Sequence, residues 1–193
     1  MEANTDGQLL QRDGSYHLSI NGQFELGNSI SFRLSFITKE NMQYKFYWED
    51  FPTGHVSEFG GMTVLKEDII RFAREFDPQP FHLDEEAAKA SLFGGLCASG
   101  WHTCSMAMRM MCDAYLLESS SLGSPGLENI RWLKPVFAGD TVRVRLTVLE
   151  SRPLESKPHV GLVRSRWQMI NQNDEEVMQM EGYGMFRRRP TQA

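Results

Sequence analysis

A surplus of positive charge is the first thing this chain lacks. Its 193 residues carry 20 Lys and Arg against 25 Asp and Glu, a formal net charge of −5. General nucleic-acid binding needs basic side chains to replace counterions along the phosphates, so that class is excluded. The one basic cluster, Arg187-Arg188-Arg189, reads as a solvated tail. Cysteine is scarce too. Cys97, Cys104 and Cys112 are the only three, with no Cys-x-x-Cys pair and no His-x-x-x-His. That leaves no zinc ligand set, and an odd count of thiols suits a reducing, cytoplasmic compartment. Their spacings of seven and eight would return them to nearly one face of a helix, as small packed side chains.

A long apolar run is also missing. Residues 91–108 contain no Asp, Glu, Lys or Arg, but Gly94, Gly95, Ser99, Gly100, Thr103 and Ser105 punctuate them. The stretch is short for a bilayer crossing and reads as a helix buried by protein on nearly all sides. Met1-Glu2-Ala3-Asn4 does not open a secretory signal, which would need a positive region followed by an apolar one. No glycine-rich loop of the Walker or dinucleotide kind occurs, so no nucleotide cofactor is implied, and no metal is expected.

What is present begins with an ordinary globular composition. Hydrophobic residues make up 41% and charged residues 23%, enough of each for one domain with a real core. Residues 1–41 differ from the rest. Ile30, Phe32, Leu34 and Phe36 alternate with polar residues in a strand pattern, but their surroundings are polar and glycine-dotted. This part reads as an extension of uncertain order, and 42–193 as the domain. Within it, Ile69, Phe72, Ala73 and Phe76 mark an amphipathic helix over about 67–76. A short helical run follows at 84–90, and a long one from Leu96 to Leu117. The remainder is strand-like. Extended segments are expected over 127–133, at Val142, Val144, Leu146 and Val148, over 161–171 and over 176–187. A proline-bearing connection at 151–159 and a turn at 172–175 separate them. A long helix followed by an antiparallel meander is an α+β domain, its sheet wrapped around the helix.

The segment Phe76-Asp77-Pro78-Gln79-Pro80-Phe81-His82 is the most informative stretch of the chain. On a continuous helix, five residues turn through roughly 500°, which would set Asp77 and His82 about 140° apart. The two prolines prevent that helix and push Asp77 and Gln79 toward extended backbone. The result is a stiff bend able to hold an acid/base pair at fixed separation. An ordinary Asp-Pro turn beside a packed histidine is the competing reading of these seven residues.

The wider pattern resembles a known family. Residues 72–84, then Phe93-Gly94-Gly95-Leu96-Cys97-Ala98-Ser99-Gly100-Trp101-His102-Thr103, are similar to the MaoC-like dehydratases, which include R-specific enoyl-CoA hydratases. Gly123-Ser124-Pro125-Gly126, Arg131-Trp132-Leu133-Lys134-Pro135-Val136 and Ala138-Gly139-Asp140-Thr141 extend the resemblance over roughly residues 48–188. It implies a hotdog fold and a cofactor-free hydro-lyase acting on a 2-enoyl or 3-hydroxyacyl thioester, carried by coenzyme A or an acyl carrier. Asp77 and His82 are implied as the catalytic pair, with Gln79, Gly95 and Ser99 at the substrate. Gly95 is the expected backbone donor to the thioester oxygen, on the premise that it opens the long helix.

Two departures stand out. Gln79 replaces the family's Asn, and Gly94-Gly95 stands where its better-characterised members have His-Gly. Ser99 and His102 are placed near the acyl end, Trp101 and Trp132 as core or interface aromatics, and Arg131 and Lys134 as conceivable coenzyme A contacts. A homodimer is expected, with no nucleic-acid or membrane partner. A hotdog thioesterase and a catalytically silent acyl-binding subunit are the alternatives.

Overall fold

The computed structural model describes residues 18–19, 35–36 and 44–190. The chain divides into two units, Met1–Gln43 and Tyr44–Ala193. In the first, strand β1 (Leu18–Ser19) pairs antiparallel with β2 (Ser35–Phe36). Of the strand expected over 30–36, only Ser35–Phe36 lies within the described residues.

The second unit holds a five-stranded antiparallel sheet in the order β3-β5-β6-β7-β4. Its strands are β3 (Val56–Thr63), β4 (Leu127–Trp132), β5 (Thr141–Leu154), β6 (Lys157–Ile170) and β7 (Glu176–Arg187). The alternation in β5 does what its period demands. Val142, Val144, Leu146 and Val148 are buried, and Arg143 and Arg145 stand on the other face, where both reach Glu58. Val163, Trp167 and Met169 of β6 and Met178 and Met180 of β7 join the same core. Helix α4 (Gly100–Ala114) lies on that inner face through Thr103, Met106, Ala107, Met110 and Met111. This is the hotdog fold.

Four expectations need correction. β5 and β6 run straight through the presumed connection at 151–159 and turn at Glu155-Ser156. Pro153 is tolerated because it sits beside a register shift, where a missing N–H removes no regular ladder bond. β3 was not foreseen, because Gly60 and Gly61 break its pattern. Both have positive φ (105° and 109°), and a Cβ on Gly60 would come within 2.3 Å of Met110 Sδ, so glycine lets α4 lie close against this edge strand.

The long helix is shorter and less buried than expected. It begins at Gly100, because residues 96–99 are drawn into pairing with the connection between β4 and β5. Cys97 bridges Phe137, and Ala98 N–H donates to the Val136 carbonyl at 2.8 Å. Cys97 therefore leaves the helix that holds Cys104 and Cys112, while Trp101 and Met108 face outward, 57% and 46% exposed. The arginine cluster is not a solvated tail. Arg188 lies over the Trp48 ring, Arg189 over the Tyr47 ring, and Arg189 Nη2 donates to Asp50 Oδ2 at 2.7 Å. Among the described residues, no helix is long and apolar enough to cross a membrane.

Candidate active site

Helix α1 (Lys66–Phe76) stops where the sequence requires it to stop. Pro78 excludes the α region for Asp77, which caps the helix at φ −150°, ψ 69° with its N–H on the Ala73 carbonyl. Gln79 stays extended, at φ −77° and ψ 138°. Pro80 then opens the four-residue helix α2 (Pro80–Leu83), its fixed φ suited to a first helical position. Asp84 caps helix α3 (Glu85–Lys89) by accepting from Ala87 N–H at 2.8 Å. The two prolines thus fold five residues back on themselves.

The bend brings Asp77 Oδ2 to 3.6 Å from His82 Nε2. That is too long for a direct hydrogen bond, and it lets one water lying beside the pair hydrogen-bond both atoms. The other ring nitrogen of His82 lies 2.8 Å from the Cys97 carbonyl oxygen. A carbonyl can only accept, so Nδ1 carries the proton of the neutral ring and Nε2 presents its lone pair to the gap. Phe81 and Phe93 flank the imidazole, with ring centres 4.6 Å and 6.2 Å away. The extended path of residues 96–99 is what places the Cys97 carbonyl there.

Asp77 is held by neutral donors on both oxygens. Gln79 Nε2 donates to Oδ1 at 2.8 Å, and Ser99 Oγ donates to Oδ2 at 2.6 Å. Gln79 therefore uses its amide on the carboxylate, not on His82. Burial alone would raise the carboxyl's pKa, but the bonds from Ser99 and Gln79, joined by the charge of His82 whenever that ring is protonated, outweigh it and hold the group below its usual value. Ser99 has a second task, because the same hydroxyl accepts from Trp101 N–H at 3.3 Å as the N-cap of α4.

Gly95 does not open a helix. It lies in the loop five residues upstream, where a Cβ would meet only the Phe137 ring at 3.5 Å, an ordinary contact. The helix opens on Ser99-Gly100, so serine, and not Gly94, precedes the helix-opening glycine. Gly100 N–H is the outward-pointing donor there, without a partner among the described residues. Ser99's taste for N-cap positions is the sequence signal that would have located this start.

His102 turns from the cleft toward α1, its ring stacked on Phe72 at 4.7 Å, and burial keeps its pKa low against the pull of Asp68. Lys134 is engaged by Glu175, and Arg131 is exposed on β4.

One residue past Gly100 a cavity of about 460 Å³ begins, running along α4 over the inner face of the sheet. Trp101, Met108 and Met111 line one wall, with Leu146, Trp167 and Met180 opposite. Neither Asp77 nor His82 lines it. Among the described residues, no three His, Cys, Asp or Glu side chains converge as a metal would require.

The model of the MaoC like domain matches residues 51–166. A crystal structure of the MaoC-like dehydratase from Rhodospirillum rubrum is 39% identical, covers 76% of this chain and 99% of its own, and superposes with a TM-score of 0.71. The uncharacterized protein YdeM of Bacillus subtilis is 29% identical over 133 residues, 69% of this chain and 93% of that one. Mesaconyl-CoA hydratase of Cereibacter sphaeroides is 36% identical over 74 residues, which are 38% of this chain and only 21% of the hydratase.

Proposed function

The chain belongs to the MaoC-like domain family, and on that premise we propose that it is a hydro-lyase adding water to a 2-enoyl thioester, or removing it from the 3-hydroxyacyl product. One observation carries the reading. A carboxylate gripped by neutral donors faces a histidine lone pair across 3.6 Å, with both groups oriented by a second hydrogen bond. A water seated beside the pair can be bound by both bases at once. The water oxygen bonds to C3 while His82 Nε2 or Asp77 takes one of its protons. The double-bond electrons move toward the thioester oxygen, and the proton held by the pair passes to C2. The product is the 3-hydroxyacyl thioester, with no atom gained or lost beyond the water.

The thioester oxygen becomes negative during this step and needs a donor at the positive end of a helix. Gly100 N–H fills that role, replacing the expected Gly95. The acyl chain then follows α4 into the cavity beyond Trp101, whose apolar walls match a hydrocarbon. The outer edges of β3 and β4 carry no further strand among the described residues, and β4 has exposed Leu127 and Trp132 beside exposed Trp101. Pairing of two copies through an edge gives a homodimer, and a stable monomer in sedimentation at micromolar concentration would refute it. The decisive test is crotonyl-CoA. Loss of the enoyl absorbance without free thiol is expected. Thiol release without hydration would make the protein a thioesterase instead.

A further inference from the structure

Trp132 stands at the opening of α4 with an arrangement that packing alone does not require. It ends the edge strand β4 and is 48% exposed, so water could serve its N–H. Instead Nε1–H donates to the Gly100 carbonyl at 2.9 Å. The indole lies against the Gly100 α-carbon so closely that a Cβ there would come within 2.5 Å of the ring. Trp101 meets the same indole edge to face, with centroids 5.5 Å apart.

Consider which peptides these contacts immobilise. Thr103 donates twice to the Ser99 carbonyl, through N–H at 2.9 Å and Oγ1 at 3.2 Å. Ser99 Oγ takes Trp101 N–H, and Trp132 takes the Gly100 carbonyl. The two peptide planes on either side of Gly100 are therefore pinned, and of their two N–H groups that of Gly100 is the one without a partner among the described residues. Glycine has the widest backbone freedom of any residue, so a glycine donor needs such restraint to keep its direction. A donor to a developing oxyanion is effective only when aligned before the reaction begins.

We infer that Trp132 is a positioning residue for the hydration reaction. Its N–H holds the Gly100–Trp101 peptide and its ring packs on the Gly100 α-carbon, the hinge to the Ser99–Gly100 peptide that Thr103 pins from the other side; together they aim the Gly100 N–H at the thioester oxygen. This rests on the hydratase reading of the site. Trp132 acts through the peptide and not on the bound substrate, so its effect falls on kcat and not on KM.

The test is steady-state hydration of crotonyl-CoA by the full chain. Trp132→Phe keeps an aromatic ring without the donor. It should lower kcat about tenfold, leave KM within about twofold, and melt at the parent temperature. Trp132→His keeps a ring N–H and should recover most of the lost kcat. A folded Phe variant with the parent kcat overturns the inference, as does a His variant no faster than the Phe variant. If the Phe variant does not fold, a folded His variant below about a tenth of the parent kcat overturns it. A parent chain inert toward crotonyl-CoA brings down the hydratase reading together with this one. An active parent with an unaffected Phe variant brings down this one alone.

Discussion

Two carboxylates in this protein are mostly buried and well supplied with donors, yet they have opposite prospects. Glu181, on the outer face of the sheet, accepts from Arg166 through Nε and Nη2 and from Arg164 through Nη2, at 2.7–2.9 Å. Its negative charge is neutralised by two guanidiniums, and its cross-strand neighbour Glu128 shares one of them, Arg164. Asp77 receives a hydroxyl and an amide, both uncharged, and looks across a gap at an imidazole. Arginine supplies charge as well as hydrogen bonds, and so converts a carboxylate into a structural pin. Neutral donors orient the group while leaving its charge to act on whatever enters the gap. The partners' charge, more than burial, separates the structural carboxylate from the one proposed for the chemistry.

The comparison can be broken most severely at the gap itself. Asp77→Asn and His82→Ala should each lower crotonyl-CoA hydration by at least about a hundredfold, as for removal of a general acid/base group, with cooperative melting retained. Hydration near the parent rate in either variant would refute the assignment. A smaller effect is expected at Ser99→Ala, which removes a donor to Asp77 and the cap of α4 together. About tenfold of activity and about 1 kcal/mol of stability should be lost.

The same variant sharpens the electrostatic side. Asp77 titrates below its unfolded value, so its contribution to stability is present above that value and fades as pH falls through the lower, folded one. Without Ser99 the folded value rises, and the acid limb of the rate profile should move to higher pH. An unmoved limb would show that Asp77 does not govern it. Glu181→Gln should leave kcat at the parent level and cost only about 1 kcal/mol, since Arg164 and Arg166 are partly exposed and can turn to water. A loss of activity there would dissolve the contrast. The smallest effect is expected from beginning the chain at Met42, because Tyr44–Ala193 contains both the core and the bend. That protein should melt cooperatively and hydrate crotonyl-CoA at the parent rate.

The bend was legible in the sequence because prolines act locally. Their constraint on Asp77 and Gln79 holds whatever surrounds them, and the meander was readable for a similar reason, from strict alternation in β5. The start of α4 was not. Leu96, Cys97 and Ala98 suit a helix by composition, and only pairing with Val136 and Phe137, some forty residues later, draws them out. That long-range pairing moved the helix-opening donor from Gly95 to Gly100 and revealed Ser99 as a carboxylate ligand. β3 was hidden by glycines whose purpose is visible only with Met110 in place.

The arginine clamp at the end of β7 has a consequence for topology. Arg189 N–H donates to Glu49 at 3.0 Å while its guanidinium holds Asp50, so the entry and exit of the Tyr44–Arg189 body are next-door neighbours. A body whose entry and exit coincide behaves as a closed ring with one cut. It can be lifted into a surface loop of a host protein, or recut at the Glu155-Ser156 turn and rejoined by a short linker, without asking any strand to change partners.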